Sequence, residues 1–199
     1  LPRINFSLFF LKAGLLGVCG AVAFPLVIPS LGPFPLLDSL PRELGAFICA
    51  GGLFQVAKSG WPFWDKFRFG MAAGVSFFAV LLYWLTIAMG QFGGMPAWQI
   101  APVFSLLVLY CSLYWGVGAV MLHGVEGGRL FRTLVFSLGW VVLEWGRGVA
   151  LTGFPWGNIG YSQARVLPLL QWASVGGVHL VSLLVVAGGA VLWSYAELR

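Results

Sequence analysis

Six apolar runs follow one another along the chain with almost no charge inside them, and this bounds the fold before any motif is considered. Only 9% of the residues are charged and 60% are hydrophobic, against about 25% charged in ordinary soluble domains. So little charge cannot cover a water-soluble domain of 199 residues. In lipid the backbone must satisfy its own hydrogen bonds, so runs of about 20 apolar residues read as helices. The spacing predicts an all-α polytopic membrane helix bundle of about six transmembrane helices. It forms a single domain over residues 1–199, with expected spans at about 6–28, 44–57, 69–89, 97–122, 130–151 and 167–195.

The connections are mostly short and rich in Gly, Pro and aromatic residues. Leu31 to Pro41 reads as a loop or interfacial segment, and the run after it, Leu44 to Ala57, is short for a span. Lys58 to Arg68, with Trp61 and Trp64, reads as a loop and an aromatic-plus-basic interface anchor. The third run carries Gly70 and Gly74, a spacing that permits close helix approach. Gly90 to Pro96 reads as a tight turn, and the sixth run is longer than a span needs, which predicts tilt or an interfacial start.

Charge placement then orients the bundle. With a cytoplasmic N-terminus, Arg3, Lys12, Lys58, Lys66, Arg68, Arg129, Arg132 and Arg199 fall inside, while Arg42, Arg147 and Arg165 fall at or near the outer face. That bias agrees with the positive-inside rule and an even number of spans. The turn at Gly94, Met95 and Pro96 and the loop from Thr152 to Gln163 then share the outer face. The net charge of +5 comes without a basic patch or a nucleic-acid-binding motif, so no nucleic-acid partner is expected.

Residues 144–163, reading E-W-G-R-G-V-A-L-T-G-F-P-W-G-N-I-G-Y-S-Q, carry the strongest functional signal. A charge inside a span costs roughly 2.5–3.5 kcal/mol on insertion scales, so such residues usually have a partner or a task. Glu144 and Arg147, at i and i+3, share a helix face where each can offset the other's desolvation. Two readings stand: an ion pair that fixes helix packing, or a polar pocket that holds a lipid headgroup or supports the loop touching it. Arg147 can meet a phosphate through its forked donors. Trp156 and Tyr161 read either as an interfacial belt or as part of that site, and Pro155 gives the loop a set shape.

Other chemistry is weak. Cys19, Cys49 and Cys111 lie inside apolar runs without a CxxC pattern and read as small buried hydrophobes. His123 and Glu126 lack a second ligand pair, so neither a metal nor a cofactor is expected. His179, inside the sixth run, reads as an interhelical hydrogen-bonder. There is no P-loop and no Gly-x-Ser-x-Gly elbow.

At these residues the chain resembles the apolipoprotein N-acyltransferases. The resemblance rests on the stretch from Gly17 to Pro25, on F-G-G-M-P at Phe92 to Pro96, on L-E-W-G-R-G at Leu143 to Gly148 and on T-G-F-P-W-G-N-I-G-Y-S-Q at Thr152 to Gln163. It implies a bacterial inner-membrane bundle that holds a periplasmic nitrilase-like domain at the membrane surface. There a Cys nucleophile, with a Glu and a Lys, takes an acyl chain from a phospholipid and passes it to the diacylglyceryl-cysteine of an apolipoprotein. None of the three cysteines here sits in that catalytic context, so no catalytic residue is assigned. Matching positions imply a lipid-site support of Glu144, Arg147, Gly153, Phe154, Pro155, Trp156, Gly160, Tyr161, Ser162 and Gln163, with Gly93, Gly94, Met95 and Pro96. The stretch Leu31–Pro41 and the segment Ser174–Ser182, with His179, depart from the family pattern.

The resulting expectation is the N-terminal membrane portion of such an enzyme, inactive alone, that anchors the catalytic domain and forms the lipid-access surface. Its partners would be the phospholipid acyl donor and the apolipoprotein, through the periplasmic domain, and the surrounding membrane lipids. Two alternatives remain: a small transporter or channel using the buried pair, and a stand-alone anchoring module of a split enzyme.

Overall fold

The computed structural model describes residues 6–24 and 43–196. The stretch Leu31–Pro41, Arg3, Arg42, Arg199 and the Pro25 end of the first motif lie outside the described residues. Within them the α-helices are α1 (Phe6–Val22), α2 (Leu44–Lys58), α3 (Phe63–Leu81), α4 (Trp84–Ile87), α5 (Ala97–Val120), α6 (Arg129–Val149), α7 (Leu167–Leu170) and α8 (Ala173–Ala196), and no strand occurs among the described residues. By length and composition, the segments Ala97–Val120, Arg129–Thr152 and Ala173–Ala196 can cross a membrane. A fourth span results if α3 and the segment Trp84–Phe92, bent by 49°, count as one, and two shorter apolar helices cover Ser7–Val22 and Leu44–Lys58.

Helix α3 packs against α1 and α5, and α8 packs against α2 and α6. Small residues make the first of these contacts close. A Cβ on Gly70 would collide with the Trp115 carbonyl, and one on Gly74 would sit 3.0 Å from the Ser112 backbone. Any larger side chain would push α3 and α5 apart, which is the physical content of the small-xxx-small spacing. Between the helices runs a chain of rings: Phe77 to Trp115 at 4.5 Å, Trp115 to Trp140 at 5.5 Å, Trp140 to Phe136 at 6.0 Å and Phe136 to Phe54 at 5.3 Å between centroids. Such offset and edge-on pairs contribute about 0.5–1.5 kcal/mol each beyond their burial.

Three boundaries differ from the sequence expectation. The loop expected at Lys58–Arg68 shrinks to 59–62, because Pro62 serves as the N-cap and α3 starts at Phe63. Lys66 is therefore not a loop residue. Its side chain is 2% exposed, and Nζ donates to the Ala57 carbonyl at 2.7 Å. A cation placed on the last carbonyls of α2 meets the negative end of that helix dipole, which explains how an ammonium is held inside. Trp61 turns inward onto Phe9 and Phe69, at 5.5 and 5.9 Å, while Trp64 stays exposed. The third run is not one straight span, since it bends after Leu81 and continues through α4 into a π-helical turn, Ala88–Phe92. The tight turn expected over Gly90–Pro96 is thus confined to 93–96. The sixth run divides into α7 and α8, and α8 breaks again at Gly176 and Gly177, the latter at φ 63°.

Candidate functional site

Helix α6 shows why two charges can sit in an apolar segment. Its buried residues are Thr133, Phe136, Ser137, Trp140, Glu144 and Arg147, a single stripe at helical spacing. The opposite face carries exposed Leu134, Leu138, Val142, Trp145 and Val149. The outward face is apolar, and Thr133, Ser137, Glu144 and Arg147 turn inward beside Phe136 and Trp140, as a lipid-embedded helix requires. Glu144 and Arg147 are only 5% and 2% exposed.

Of the two readings, a direct ion pair is not what holds them. Among the described residues no direct ion pair joins Glu144 to Arg147. Instead each reaches into the loop that follows the helix. Glu144 Oε1 accepts the Ile159 backbone N–H at 2.7 Å and the Trp140 indole N–H at 3.1 Å. Arg147 donates from Nη2 to Asn158 Oδ1 at 2.7 Å, and its guanidinium lies 5.0 Å from the centroid of the Phe78 ring. The reason is geometric. With the loop folded back beneath the helix end, consecutive residues Asn158 and Ile159 offer one acceptor and one donor, and these separate the two charges. Charge-assisted bonds of this kind are roughly twice as strong as neutral ones.

The rest of the loop is tied at several points. Its entry is strained, with Leu151 and Thr152 at φ 50° and 76° before Gly153 at 82°. Left-handed backbone at two successive non-glycine residues costs on the order of 1–3 kcal/mol each and persists only where surroundings enforce it. Here the Ala150 carbonyl accepts from the Tyr110 hydroxyl at 3.2 Å, and the Phe154 N–H donates to the Arg147 carbonyl at 2.9 Å. Farther along, the Gly160 N–H donates to Ser182 Oγ on α8 at 3.0 Å. A Cβ at Gly160 would lie 2.6 Å from the Val178 carbonyl, so only glycine lets this turn lie on α8. Gln163 Nε2 donates to Ser162 Oγ at 2.8 Å and to the Glu43 carbonyl at the start of α2 at 3.2 Å.

The sequence-named residues therefore separate into three groups. Glu144, Arg147, Gly160, Ser162 and Gln163 form a buried lock, with Gly153 and Phe154 half-buried at its entry. Pro155, Trp156 and Tyr161 are exposed above it, and Trp156 meets Trp84 at 5.5 Å, at the bend between α3 and α4. Gly93, Gly94 and Pro96 are exposed and Met95 is half-buried, at the far end of the α4 and π-helical segment. Sequence reasoning missed Asn158, Ser182, Trp140 and Phe78. Trp140 was within reach, since it lies one turn before Glu144 on the same stripe. Asn158 and Ser182 gain meaning only from the folded loop.

Both histidines lie outside the lock's hydrogen bonds. His123 lies against Phe63, with rings 5.6 Å apart. His179 follows the glycine break in α8, and its Nδ1 is buried without a hydrogen-bond partner among the described residues, so the interhelical bond expected of it is not made by that nitrogen.

Comparison with known proteins agrees along most of the chain. Residues 16–191 match the family model described as the apolipoprotein N-acyltransferase N-terminal domain. The apolipoprotein N-acyltransferase of Geobacter metallireducens is 35% identical over 184 residues, covering 92% of this chain and 33% of that protein. That of Chromobacterium violaceum is 34% identical over 88% of the chain and 33% of its own length. That of Methylococcus capsulatus is 33% identical over 92% of the chain and 34% of its own length. The chain thus spans about a third of the length of these curated relatives.

Proposed function

Because the chain belongs to the apolipoprotein N-acyltransferase family, matching its N-terminal domain, we propose that it is the membrane platform on which such an enzyme transfers acyl chains. The reaction would move an acyl chain from a phospholipid to the N-terminal diacylglyceryl-cysteine of an apolipoprotein. On this reading the chain spans a bacterial inner membrane as one domain of six spans, with its N-terminus cytoplasmic and the loop after α6 periplasmic. The acyl-transferring nitrilase-like domain sits over that loop, and the platform alone does not transfer acyl groups. Family membership favours this reading over a transporter.

One observation carries the role given to individual residues. Glu144 and Arg147 hold consecutive residues of a single loop from beneath, while Trp156 and Tyr161 stay exposed above it, 55% and 46%. A lock below and aromatic rings above describe a braced floor. Arg147 acts by holding Asn158 rather than by meeting a lipid phosphate, because its guanidinium is enclosed. Trp156, Tyr161 and Pro155 form the surface that acyl chains touch, and Gly94, Met95 and Pro96 border it. Rings with an apolar body and a polar edge suit that depth.

The test is acyl transfer by the full-length protein bearing Trp156→Ala together with Tyr161→Ala, assayed with phospholipid donor and a diacylglyceryl-peptide acceptor. Transfer should fall at least tenfold with melting temperature unchanged. Full activity in that variant removes the floor from the proposal.

A further inference from the structure

Beside the lock, between α5 and α6, lies a small cavity lined by Tyr114, Trp115, Trp140, Leu143, Glu144 and Arg147. The space open to a water's centre is about 10 Å³, at the lower end of what a single water requires. Two lining residues bring buried polar atoms with no hydrogen-bond partner among the described residues, Glu144 Oε2 and Arg147 Nε. The Ser182 hydroxyl and the Cys111 thiol are near these side chains but outside bonding geometry for those atoms. A charged atom left unpaired in such surroundings is strongly unfavourable, so an apolar occupant has no place here.

Proton counting supplies a third group. The Tyr110 hydroxyl gives its one proton to the Ala150 carbonyl, which can only accept. In the 3.2 Å contact between Tyr110 and Tyr114, Tyr114 must therefore be the donor. The Tyr114 oxygen keeps a free lone pair, and Tyr114 lines the cavity. Three residues that line a space of one water's size thus carry, between them, one unused donor and two unused acceptors. A water has two protons to give and a lone pair to receive, which matches that set.

We propose that this cavity binds one ordered water, which accepts from Arg147 Nε–H and donates to Glu144 Oε2 and Tyr114 Oη, making Tyr114 a third positioning residue of the loop. The water joins the two charged side chains that do not bond directly. It also connects them, through Tyr114 and Tyr110, to the Ala150 carbonyl at the strained entry of the loop. This deepens the bracing role proposed above. Density reports the water and acyl transfer reports the brace, so the two can fail separately.

The experiment is a structure of the full-length protein at a resolution that shows ordered waters, paired with melting curves of tyrosine variants. A density peak roughly 2.6–3.2 Å from all three atoms is expected. A dry cavity, or Glu144 and Arg147 closed directly on each other, overturns the proposal. Tyr114→Phe should lower the melting temperature by about 2–4 °C, and a similar drop should persist in a Tyr110→Phe background. A drop that vanishes in that background shows Tyr114 acting through Tyr110 alone, and the water is then wrong.

Discussion

Ile159 gives its backbone N–H to Glu144 Oε1 at 2.7 Å, across fifteen positions of sequence and from a loop into the buried stripe of a helix. That bond converts a carboxylate, costly within an apolar span, into the anchor of a turn. Glu144→Ala strands the Ile159 and Trp140 donors and leaves Arg147 without a nearby carboxylate. The expected loss is roughly 2–5 kcal/mol, read as a lower denaturation midpoint in detergent. Glu144→Gln, which keeps an acceptor oxygen, should lose less.

Arginine's planar fork explains a second expectation. Arg147 donates to Asn158 while its guanidinium lies on the Phe78 ring. Lysine keeps the charge but has neither a flat face nor a second donor in fixed geometry. Arg147→Lys in the full-length protein should therefore cut acyl transfer several-fold and lower the melting temperature. An activity equal to wild type would mean that charge alone suffices.

Gly160 lies against α8 with no room for a side chain. Gly160→Ala should destabilise by about 1–3 kcal/mol through overpacking, and limited proteolysis should show new cleavage between Asn158 and Gln163.

At the other end of the bundle, Lys66 Nζ satisfies the Ala57 carbonyl inside the protein. Lys66→Met should loosen the last turn of α2 at a cost of about 1–3 kcal/mol. Faster amide exchange confined to the end of α2 and the following connection is the expected signature.

Much of this fold was legible because lipid leaves a chain few options. Three apolar runs became helices nearly where the spacing put them: α2 at Leu44–Lys58 against an expected 44–57, α5 at Ala97–Val120 against 97–122 and α6 at Arg129–Val149 against 130–151. The α3 start was obscured by W-P-F-W-D-K, which reads as polar and aromatic, although Pro62 just before the helix is a start signal. The bend after Leu81 has neither Gly nor Pro at Leu82 and Tyr83, so nothing local announces it. At the site, the shared face of Glu144 and Arg147 followed from their spacing. Their partners did not, because Asn158 and Ile159 reach them only through left-handed backbone at Leu151 and Thr152, which no side-chain preference predicts.

Amide hydrogen exchange across Asn158–Gln163, compared between the full-length wild type and Arg147→Ala, tests the brace most directly. Faster exchange in that segment, with the helices unchanged, is the predicted result. Identical exchange in the two proteins would contradict it.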